Sequence, residues 1–306
     1  MCCPISGTSV IPIFLLHSYN IYIVETLDRL LELNTTYLLI GLFFIFFTLE
    51  QVLHRDYSFR TKGIHFLHNG LFQVVMVICN LFWASVIVLA IDWLNRHQVG
   101  LLHHVAIPFW MKLVAGVMLY DFTAYWFHRT AHRLPWLWRF HRVHHSDTAM
   151  DSSTAFRSHP IEILFWFGAS DVLATALFGL DLSALGLYGL LLIPFFVLQH
   201  TSVQFPSWVD KTLGLLITTP NLHKIHHDQD QRYTDSNYAD IFILWDRIFG
   251  TYRYKPVGQI KLGLVEFDEP RKQSFWYLMA SPFMRIDRMP GKSSDAESAQ
   301  TNAVSV

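Results

Sequence analysis

The chain has 306 residues, of which 52% are hydrophobic and only 15% are charged, and its formal net charge is −1. Ordinary soluble domains carry about 25% charged residues, so this deficit, together with a mean hydropathy of +0.29, indicates a membrane protein. The near-neutral charge provides no basic surface for nucleic acid, which excludes that class of partner. The three cysteines, Cys2, Cys3 and Cys79, form neither a disulfide framework nor a CxxC motif.

Spanning a bilayer as a helix takes about 20 apolar residues. The stretch Ile11–Val24 is interrupted by polar residues and lacks a basic n-region and a cleavage site, which predicts an interfacial helix rather than a signal peptide. Beyond it, the sequence predicts five membrane spans, of which the last two are short enough to form a re-entrant hairpin instead. The predicted spans are Thr36–Leu53, Leu71–Trp93, Val105–Phe127, Ile161–Leu180 and Leu185–Gln199.

Basic residues distinguish the two sides of the membrane. The loops Arg55–Lys62 and Arg129–Arg157, and the region Lys211–Lys255 after the fifth span, are rich in Lys and Arg, whereas the loop after the second span offers only Arg96. Because cytoplasmic loops carry the excess of Lys and Arg, the first, third and fifth spans are predicted to end in the cytoplasm. The membrane is expected to be a bacterial inner membrane or the endoplasmic reticulum.

Three histidine clusters follow these predicted spans on the cytoplasmic side. Side chains at i, i+3 and i+4 share one face of a helix, so each cluster is predicted to present its imidazoles together. Imidazole is a strong ligand for borderline metals, and eight imidazoles exceed the needs of one tetrahedral zinc ion. The sequence therefore predicts a two-metal centre. The eight ligands are His128, His132, His141, His144, His145, His223, His226 and His227.

Other polar residues are candidates to complete this centre. His159 begins the fourth predicted span and His200 closes the fifth, and both are candidate ligands with a structural role as the alternative. Asp121 and Tyr125 continue the first cluster along one helical face, where they are predicted to support its histidines, since a metal-bound histidine usually donates its other N–H to a carboxylate or carbonyl. The acids predicted to do the same near the third cluster are Asp228, Asp240 and Asp246.

Ligand type alone leaves iron and zinc open, because the familiar iron signature includes a carboxylate that the clusters lack. A membrane zinc-dependent lipid hydrolase would use a general base near the metal, yet the chain has no HExxH and no Glu inside the clusters. A non-catalytic metal transporter would place its ligands along the spans rather than beyond their ends. A bis-histidine haem protein would not require HxxHH triplets.

The clusters HRTAH, HRVHH and HKIHH and the residues around them resemble the fatty acid hydroxylase/sterol desaturase superfamily of integral membrane di-iron enzymes. The resemblance covers roughly residues 110–255. One departure is His200-Thr201-Ser202, where relatives often have a His-Ser/Thr-Gly/Asn element, and it leaves the substrate subclass open. The flanking segments that carry the resemblance are Asp121–His128, Phe156–Pro160, Thr219–His223, Asn237–Asp240 and Trp245–Tyr252.

The resemblance implies an all-α integral membrane protein in which four to five apolar helices are capped by a cytosolic, histidine-rich di-metal domain. It implies two irons per chain, O2 as co-substrate, and hydroxylation or desaturation of a C–H bond in a sterol, fatty acyl or related lipid. The chain has neither a dinucleotide-binding GxGxxG with its acid nor a haem-attachment CxxCH. Electrons are therefore expected from another protein, such as cytochrome b5, ferredoxin or a flavin reductase.

The expected organisation has three parts. Residues 1–104 form the N-terminal interfacial segment and membrane helices, residues 105–289 form the di-iron domain, and residues 290–306 form a tail. The tail contains almost no bulky apolar residues and is predicted to be disordered.

Overall fold

The computed structural model describes residues 35–53 and 59–289, which fold into helices joined by short loops. The described residues contain no β-strand, and one isolated antiparallel bridge joins Asp228 to Leu262. This confirms the all-α prediction. The predicted interfacial helix Ile11–Val24 and the predicted disordered tail lie outside the described residues.

The α-helices, numbered here in chain order, are α1 (Thr35–Leu53), α2 (Phe59–Arg96), α3 (Phe109–Arg133), α4 (Pro135–His145), α5 (Pro160–Ile163), α6 (Ala169–Phe178), α7 (Leu182–His200), α8 (Ser207–Thr212), α9 (Pro220–His226), α10 (Gln231–Thr234), α11 (Leu244–Ile248) and α12 (Phe275–Ala280). A π-helical turn, Leu164–Gly168, joins α5 to α6. The 3₁₀ turns are Leu101–His104, Ser152–Phe156, Leu213–Leu215, Val257–Gln259, Val265–Phe267, Pro270–Gln273 and Ser281–Phe283.

Among the residues that the structure describes, two stretches are long and apolar enough to cross a membrane, judged by length and composition. They are Lys62–His104, which includes most of α2, and Leu182–His200, which is α7. On α2, Leu81 is 74% exposed and Phe82 is 73% exposed, so large apolar side chains face outwards as they would towards lipid. Shorter apolar stretches lie in α1 and α6. The count of five crossings stays a prediction.

The second predicted span, Leu71–Trp93, is part of the longer helix α2, and the third and fourth predicted spans also differ from the helices of the structure. The third was predicted as Val105–Phe127, but α3 begins at Phe109, after Pro108, and continues to Arg133, so the first histidine cluster is part of the helix itself. The fourth was predicted as one span, but α5, the π-helical turn and α6 divide it. Pro160 at the first position of α5 starts the new helix, and π turns are frequently found at functional sites.

The helices α3 and α7 pack side by side and run in the same direction. Gly116 on α3 faces Ala184 on α7 so closely that a Cβ at Gly116 would be 2.7 Å from the Ala184 Cβ. One turn further along both helices, the rings of Tyr120 and Tyr188 have centroids 4.4 Å apart. Because both helices advance in the same direction from these contacts, their C-terminal ends, which carry histidines, arrive together.

A buried ionic network fixes the end of α4. Arg157 is 0% exposed and donates from Nε to the Val143 carbonyl at 3.1 Å and from a terminal nitrogen to Ser146 Oγ at 2.9 Å. Asp147 lies 3.7 Å from Arg157 and 2.9 Å from His65 of α2. A buried charge is tolerated only when it is paired and hydrogen-bonded, so this network joins α2, α4 and the Arg157 segment in one arrangement.

Candidate metal centre

Nine histidine side chains converge in two adjacent groups at the ends of α3, α4, α7 and α9. Within each group the candidate ligand atoms all lie within 4.8 Å of one another. The side chains are buried, with exposures between 0% and 6%. The first group is His128, His132, His141, His145 and His226. The second group is His144, His200, His223 and His227.

The Nε2 atoms of neighbouring members approach each other inside each group. In the first group, His141 Nε2 is 3.1 Å from His128 Nε2 and 3.0 Å from His145 Nε2. In the second group, His200 Nε2 is 3.1 Å from His144 Nε2 and 3.0 Å from His223 Nε2. With metal–imidazole bonds of about 2.0–2.1 Å, adjacent ligands on one ion lie about 2.8–3.4 Å apart. The observed separations match that geometry.

Helical phase explains which histidine joins which group. Residues four apart point in nearly the same direction, whereas adjacent residues diverge by about 100°. His141 and His145 therefore share the first group, while His144 turns towards the second. The third cluster divides in the same way, because His223 and His227 enter the second group and His226 enters the first. The expectation that each cluster presents all its imidazoles together is wrong for both HxxHH clusters.

The environment favours the neutral imidazole, which is the form that binds metal. Burial lowers the pKa of His226 to about 3. For four further members, burial and the neighbouring imidazoles hold the pKa well below its usual value, because a charged ring would be desolvated and repelled. These members are His144, His145, His223 and His227.

Backbone carbonyl groups fix the orientation of several rings from outside. His128 Nδ1 donates to the Tyr238 carbonyl at 2.6 Å, and His226 Nδ1 donates to the Ser236 carbonyl at 2.6 Å. In the second group, His200 Nδ1 donates to the Phe196 carbonyl at 2.6 Å. An Nδ1–H engaged in this way leaves Nε2 with the lone pair that a metal needs.

Two carboxylates that the sequence analysis missed orient histidines of the first group. His141 Nδ1 donates to Glu162 Oε1 at 2.6 Å, and His132 Nδ1 lies 3.2 Å from Asp235 Oδ1. Neither acid stands at a helical spacing from its histidine. The only signal in the sequence was that Glu162 is close to His159-Pro160 and that Asp235 is close to the third cluster. The contacts with the two histidines depend on the tertiary fold.

Asp121 has a different position from the one predicted. Its carboxylate accepts hydrogen bonds from Tyr188 Oη at 2.8 Å and from Trp245 Nε1 at 2.8 Å. It also accepts the backbone N–H groups of Ile241 and Phe242, each at 3.2 Å. None of these partners is a histidine, so the expected histidine contact is wrong. Asp121 instead joins α3, α7 and the loop before α11.

Tyr125 and Asp246 also act at a distance from the histidines. Tyr125 Oη hydrogen-bonds Thr251 Oγ1 at 2.9 Å, and Thr251 in turn donates to Asp246 at 2.6 Å. Asp246 accepts the backbone N–H groups of Tyr238 and Ala239, each at 2.9 Å. Tyr125 and Asp246, linked through Thr251, therefore hold the loop whose Tyr238 carbonyl accepts the hydrogen bond from His128.

The remaining two predicted acids differ from each other. Asp240 lies 4.0 Å from His128 Nδ1 and lines the cavity beside the histidines. Asp228 instead accepts hydrogen bonds from the ammonium group of the buried Lys255 at 2.6 Å and from the backbone N–H of Asp230 at 2.9 Å. The predicted support of a histidine by Asp228 is therefore wrong, because Lys255 needs this carboxylate as its buried counter-ion.

His159 lies outside both groups. Its Nδ1 accepts the backbone N–H of Ile161 at 3.2 Å, which caps α5, and its Nε2 donates to the Met279 carbonyl at 3.3 Å. With both ring nitrogens engaged by the backbone, His159 is a structural residue here and its prediction as a ligand is corrected. His200, by contrast, lies within the second group.

A cavity of about 70 Å³ opens between the two groups. Histidines of both groups line it, and so do the polar side chains of Glu162, Asp240 and Gln199. Leu192 and Phe196 of α7 supply its apolar wall. The cavity is therefore a small space where a reactant would face both candidate metal positions at once.

The residues present fit a pair of metal ions. The Nε2 atoms of His132 and His226 are buried and have no hydrogen-bond partner among the described residues. Buried polar atoms without a partner cost about 1–3 kcal/mol each, and here they face a set of neutral nitrogen donors. Five donors in one group and four in the other are enough for two ions with positions left open. An all-imidazole donor set suits iron, zinc or copper.

Comparison with known proteins agrees with this site. The family model described as fatty acid hydroxylase matches residues 113–251, which include every member of both histidine groups. Over these residues, which make up less than half of the chain, the chain is similar to the fatty acid hydroxylase family. This confirms the resemblance carried by the histidine clusters. No solved structure matches the chain.

Curated superfamily members align with the central part of this chain. Alkylglycerol monooxygenase of Homo sapiens is 34% identical over 179 residues, which cover 56% of this chain and 37% of the relative. The Danio rerio protein of the same name is 33% identical over 189 residues, covering 57% and 39%. Ornithine lipid hydroxylase OlsE of Rhizobium tropici is 30% identical over 149 residues, covering 49% and 44%. The aligned segments thus span less than half of these relatives.

Proposed function

We propose that this chain is a membrane di-iron monooxygenase that hydroxylates a C–H bond of a lipid. The observation that carries the proposal is the convergence of nine buried histidines in two groups beside one shared cavity. The names of the relatives, alkylglycerol monooxygenase and ornithine lipid hydroxylase, support lipid hydroxylation over desaturation. No comparable observation supports a zinc hydrolase. Metal analysis distinguishes that enzyme from a di-iron monooxygenase.

The overall reaction consumes R–H, O2, two electrons and two protons, and it yields R–OH and water. Each histidine group would hold one iron through its Nε2 atoms, beside the cavity that both groups line. When bound, the irons supply the oxygen activation that no side chain can provide. The protein's own residues then hold the rings, position the lipid and keep bulk water away.

The described contacts assign those tasks to particular residues. Glu162 and Asp235 accept the Nδ1–H groups of His141 and His132 and so keep their Nε2 atoms directed inwards. Leu192 and Phe196 give the cavity an apolar wall, which favours the hydrocarbon part of a substrate and limits water. Histidine ligands that are oriented from outside bind metal more tightly.

A lipid substrate and an external electron donor follow from the same arrangement. The apolar helices α2 and α7 support residence in a membrane, where a lipid would reach the cavity by lateral diffusion. The basic loops favour a cytoplasmic position for the histidines. Since the sequence has no flavin or haem motif, we propose that cytochrome b5, ferredoxin or a flavin reductase delivers the electrons.

The test uses iron-loaded protein in lipid nanodiscs with a chemical reductant and ¹⁸O2. We expect hydroxylated lipid that contains one labelled oxygen, and no product without O2. His145→Ala should abolish product formation, whereas His97→Ala, which removes an exposed histidine at the far end of α2, should not. Product formation without O2, or with oxygen taken from water, would contradict the proposal.

A further inference from the structure

A second, larger cavity lies next to the histidine cavity. It has a volume of about 400 Å³ and an almost entirely apolar lining contributed by α3, α4, α5 and α6. Several of its lining side chains are also exposed on the outer surface: Trp136 is 51% exposed, Phe165 is 54% exposed and Leu173 is 42% exposed. The cavity therefore opens sideways through an apolar rim, as expected for a space filled from a bilayer.

The two cavities meet at one residue of α5. Ile161 lines the apolar cavity, Ile163 lines the histidine cavity, and Glu162 lines both. Glu162 is the acidic residue of the apolar cavity's lining, and its side chain is only 9% exposed. Glu162 is thus the residue that the linings of the two cavities share.

The two oxygens of Glu162 have different environments. Oε1 accepts the hydrogen bond from His141 Nδ1 at 2.6 Å. Oε2 is buried and has no hydrogen-bond partner among the described residues. Native proteins rarely leave a buried acceptor unsatisfied, and such an atom calls for an explanation such as a bound ligand. Since Glu162 lines both cavities, a ligand is the explanation that also accounts for the space beside it.

We propose that Glu162 Oε2 accepts a hydrogen bond from the substrate, so that the substrate is a lipid with an O–H or N–H group close to the carbon that is oxidised. The apolar chain occupies the 400 Å³ cavity and the polar donor lies at Glu162. The reacting carbon then lies in the histidine cavity. Lipids that offer only acceptors, such as ethers and full esters, leave Oε2 unpaired and are disfavoured. This inference rests on the proposed function, because it identifies the substrate of the same site.

The test compares binding of 1-hexadecanol with binding of hexadecyl methyl ether, in which a methyl group replaces the donor hydrogen. Binding is measured by displacement of a fluorescent fatty alcohol from metal-loaded and from metal-free protein in nanodiscs, and needs no turnover. Hydrogen bonds to charged groups are strong enough for the alcohol to bind about tenfold to a hundredfold more tightly than the ether. The variant Glu162→Gln replaces one acceptor oxygen by an NH2 donor. In this variant the ratio of alcohol affinity to ether affinity should fall to about one or below.

Thr130→Val is the matched control, because Thr130 is another polar residue of the same cavity. The control should keep the wild-type preference for the alcohol. If the preference survives Glu162→Gln, or if Thr130→Val abolishes it instead, the assignment to Glu162 is wrong. Equal binding of alcohol and ether by the wild-type protein would also overturn it.

A second measurement covers the case in which Glu162→Gln does not fold. On the unmodified protein, affinity across a series of hexadecyl alcohol, primary amide, methyl ether and fluoride should follow the ability to donate a hydrogen bond. Affinity that instead follows size or polarity contradicts the proposal. Failure of the proposed function gives a different result. The protein would then still bind hydrogen-bond donors selectively but would incorporate no oxygen from O2 into any lipid.

Discussion

His144 and His145 are adjacent in sequence, yet their imidazoles belong to different histidine groups. The centroids of the two rings lie 5.5 Å apart, and the interplanar angle is 89°. His144 Nε2 approaches His200 Nε2 at 3.1 Å, and His145 Nε2 approaches His141 Nε2 at 3.0 Å. One turn of α4 thus supplies histidines to both candidate metal positions, as the third histidine cluster also does.

This division predicts which pairs of substitutions act on the same ion. The double variant His223→Ala/His227→Ala removes two members of the second group and should leave about one tightly bound iron per chain. The double variant His226→Ala/His227→Ala removes one member from each group and should weaken the retention of both ions. Metal content after dialysis against a chelator measures the difference. Identical iron loss in the two variants would show that the grouping is incorrect.

His200 is expected to behave as a ligand and His159 as a structural residue. His200→Ala should lose about one iron per chain, because the second group falls from four members to three. His159→Ala should keep both irons and lose stability, by about 1–3 kcal/mol for the unsatisfied backbone groups it leaves behind. Iron analysis and thermal unfolding of the two purified variants test this, and equal iron loss in both would refute the distinction.

Asp121 should matter for folding rather than for metal retention. Asp121→Asn replaces an acceptor of four hydrogen bonds from α7, α11 and the loop before α11 with an amide that cannot accept all of them. We expect the free energy of unfolding to fall by about 1–3 kcal/mol. The iron content of the folded fraction should stay unchanged. Iron loss without destabilisation would restore the direct role predicted from the sequence.

Asp235 and Asp228 form a matched pair for testing support of the histidines. Asp235→Asn weakens the acceptor of His132 and should lower metal affinity by about 10–100-fold. Asp228→Asn weakens the partner of the buried Lys255 and should lower stability while leaving metal affinity unchanged. Competition with a chromogenic chelator gives the affinities. The assignment fails if Asp228→Asn is the variant that releases metal.

The cytoplasmic position of the histidine groups is tested by labelling single cysteines in intact cells, after replacement of Cys2, Cys3 and Cys79. Gln98 is exposed at the far end of α2, and the Arg271 side chain is 79% exposed on the histidine-bearing side. A membrane-impermeant maleimide should label a cysteine at 98 from outside and reach a cysteine at 271 only after lysis. External labelling at 271 would reverse the topology.

Local patterns were sufficient to predict several of the long apolar helices and to identify the eight cluster histidines as candidate ligands, because spacing of three and four residues is a property of the helix itself. The partition of those histidines between two groups also follows from helical phase, but only once the neighbouring helices are in place. His200 is visible in the sequence as a histidine at the end of an apolar segment. Its membership of the second group depends on how α7 lies beside α3.

Residues that support the histidines from other elements were beyond sequence reasoning. Glu162 reaches His141 across 21 positions and Asp235 reaches His132 across 103 positions, so no periodicity connects them. Asp121, by contrast, has the correct helical spacing and the wrong partner. Its carboxylate satisfies the N–H groups of a loop that the sequence pattern does not place. Tertiary packing decides which of several available acceptors a buried donor uses.

The most direct test of the account is the metal content of protein purified under anaerobic conditions from iron-supplied cells. Five donors in one group and four in the other predict about two irons per chain, with the content reduced in His145→Ala and unchanged in the exposed-residue control His97→Ala. A single ion per chain, or stoichiometric zinc in a protein that consumes no O2 with any lipid, would contradict the account.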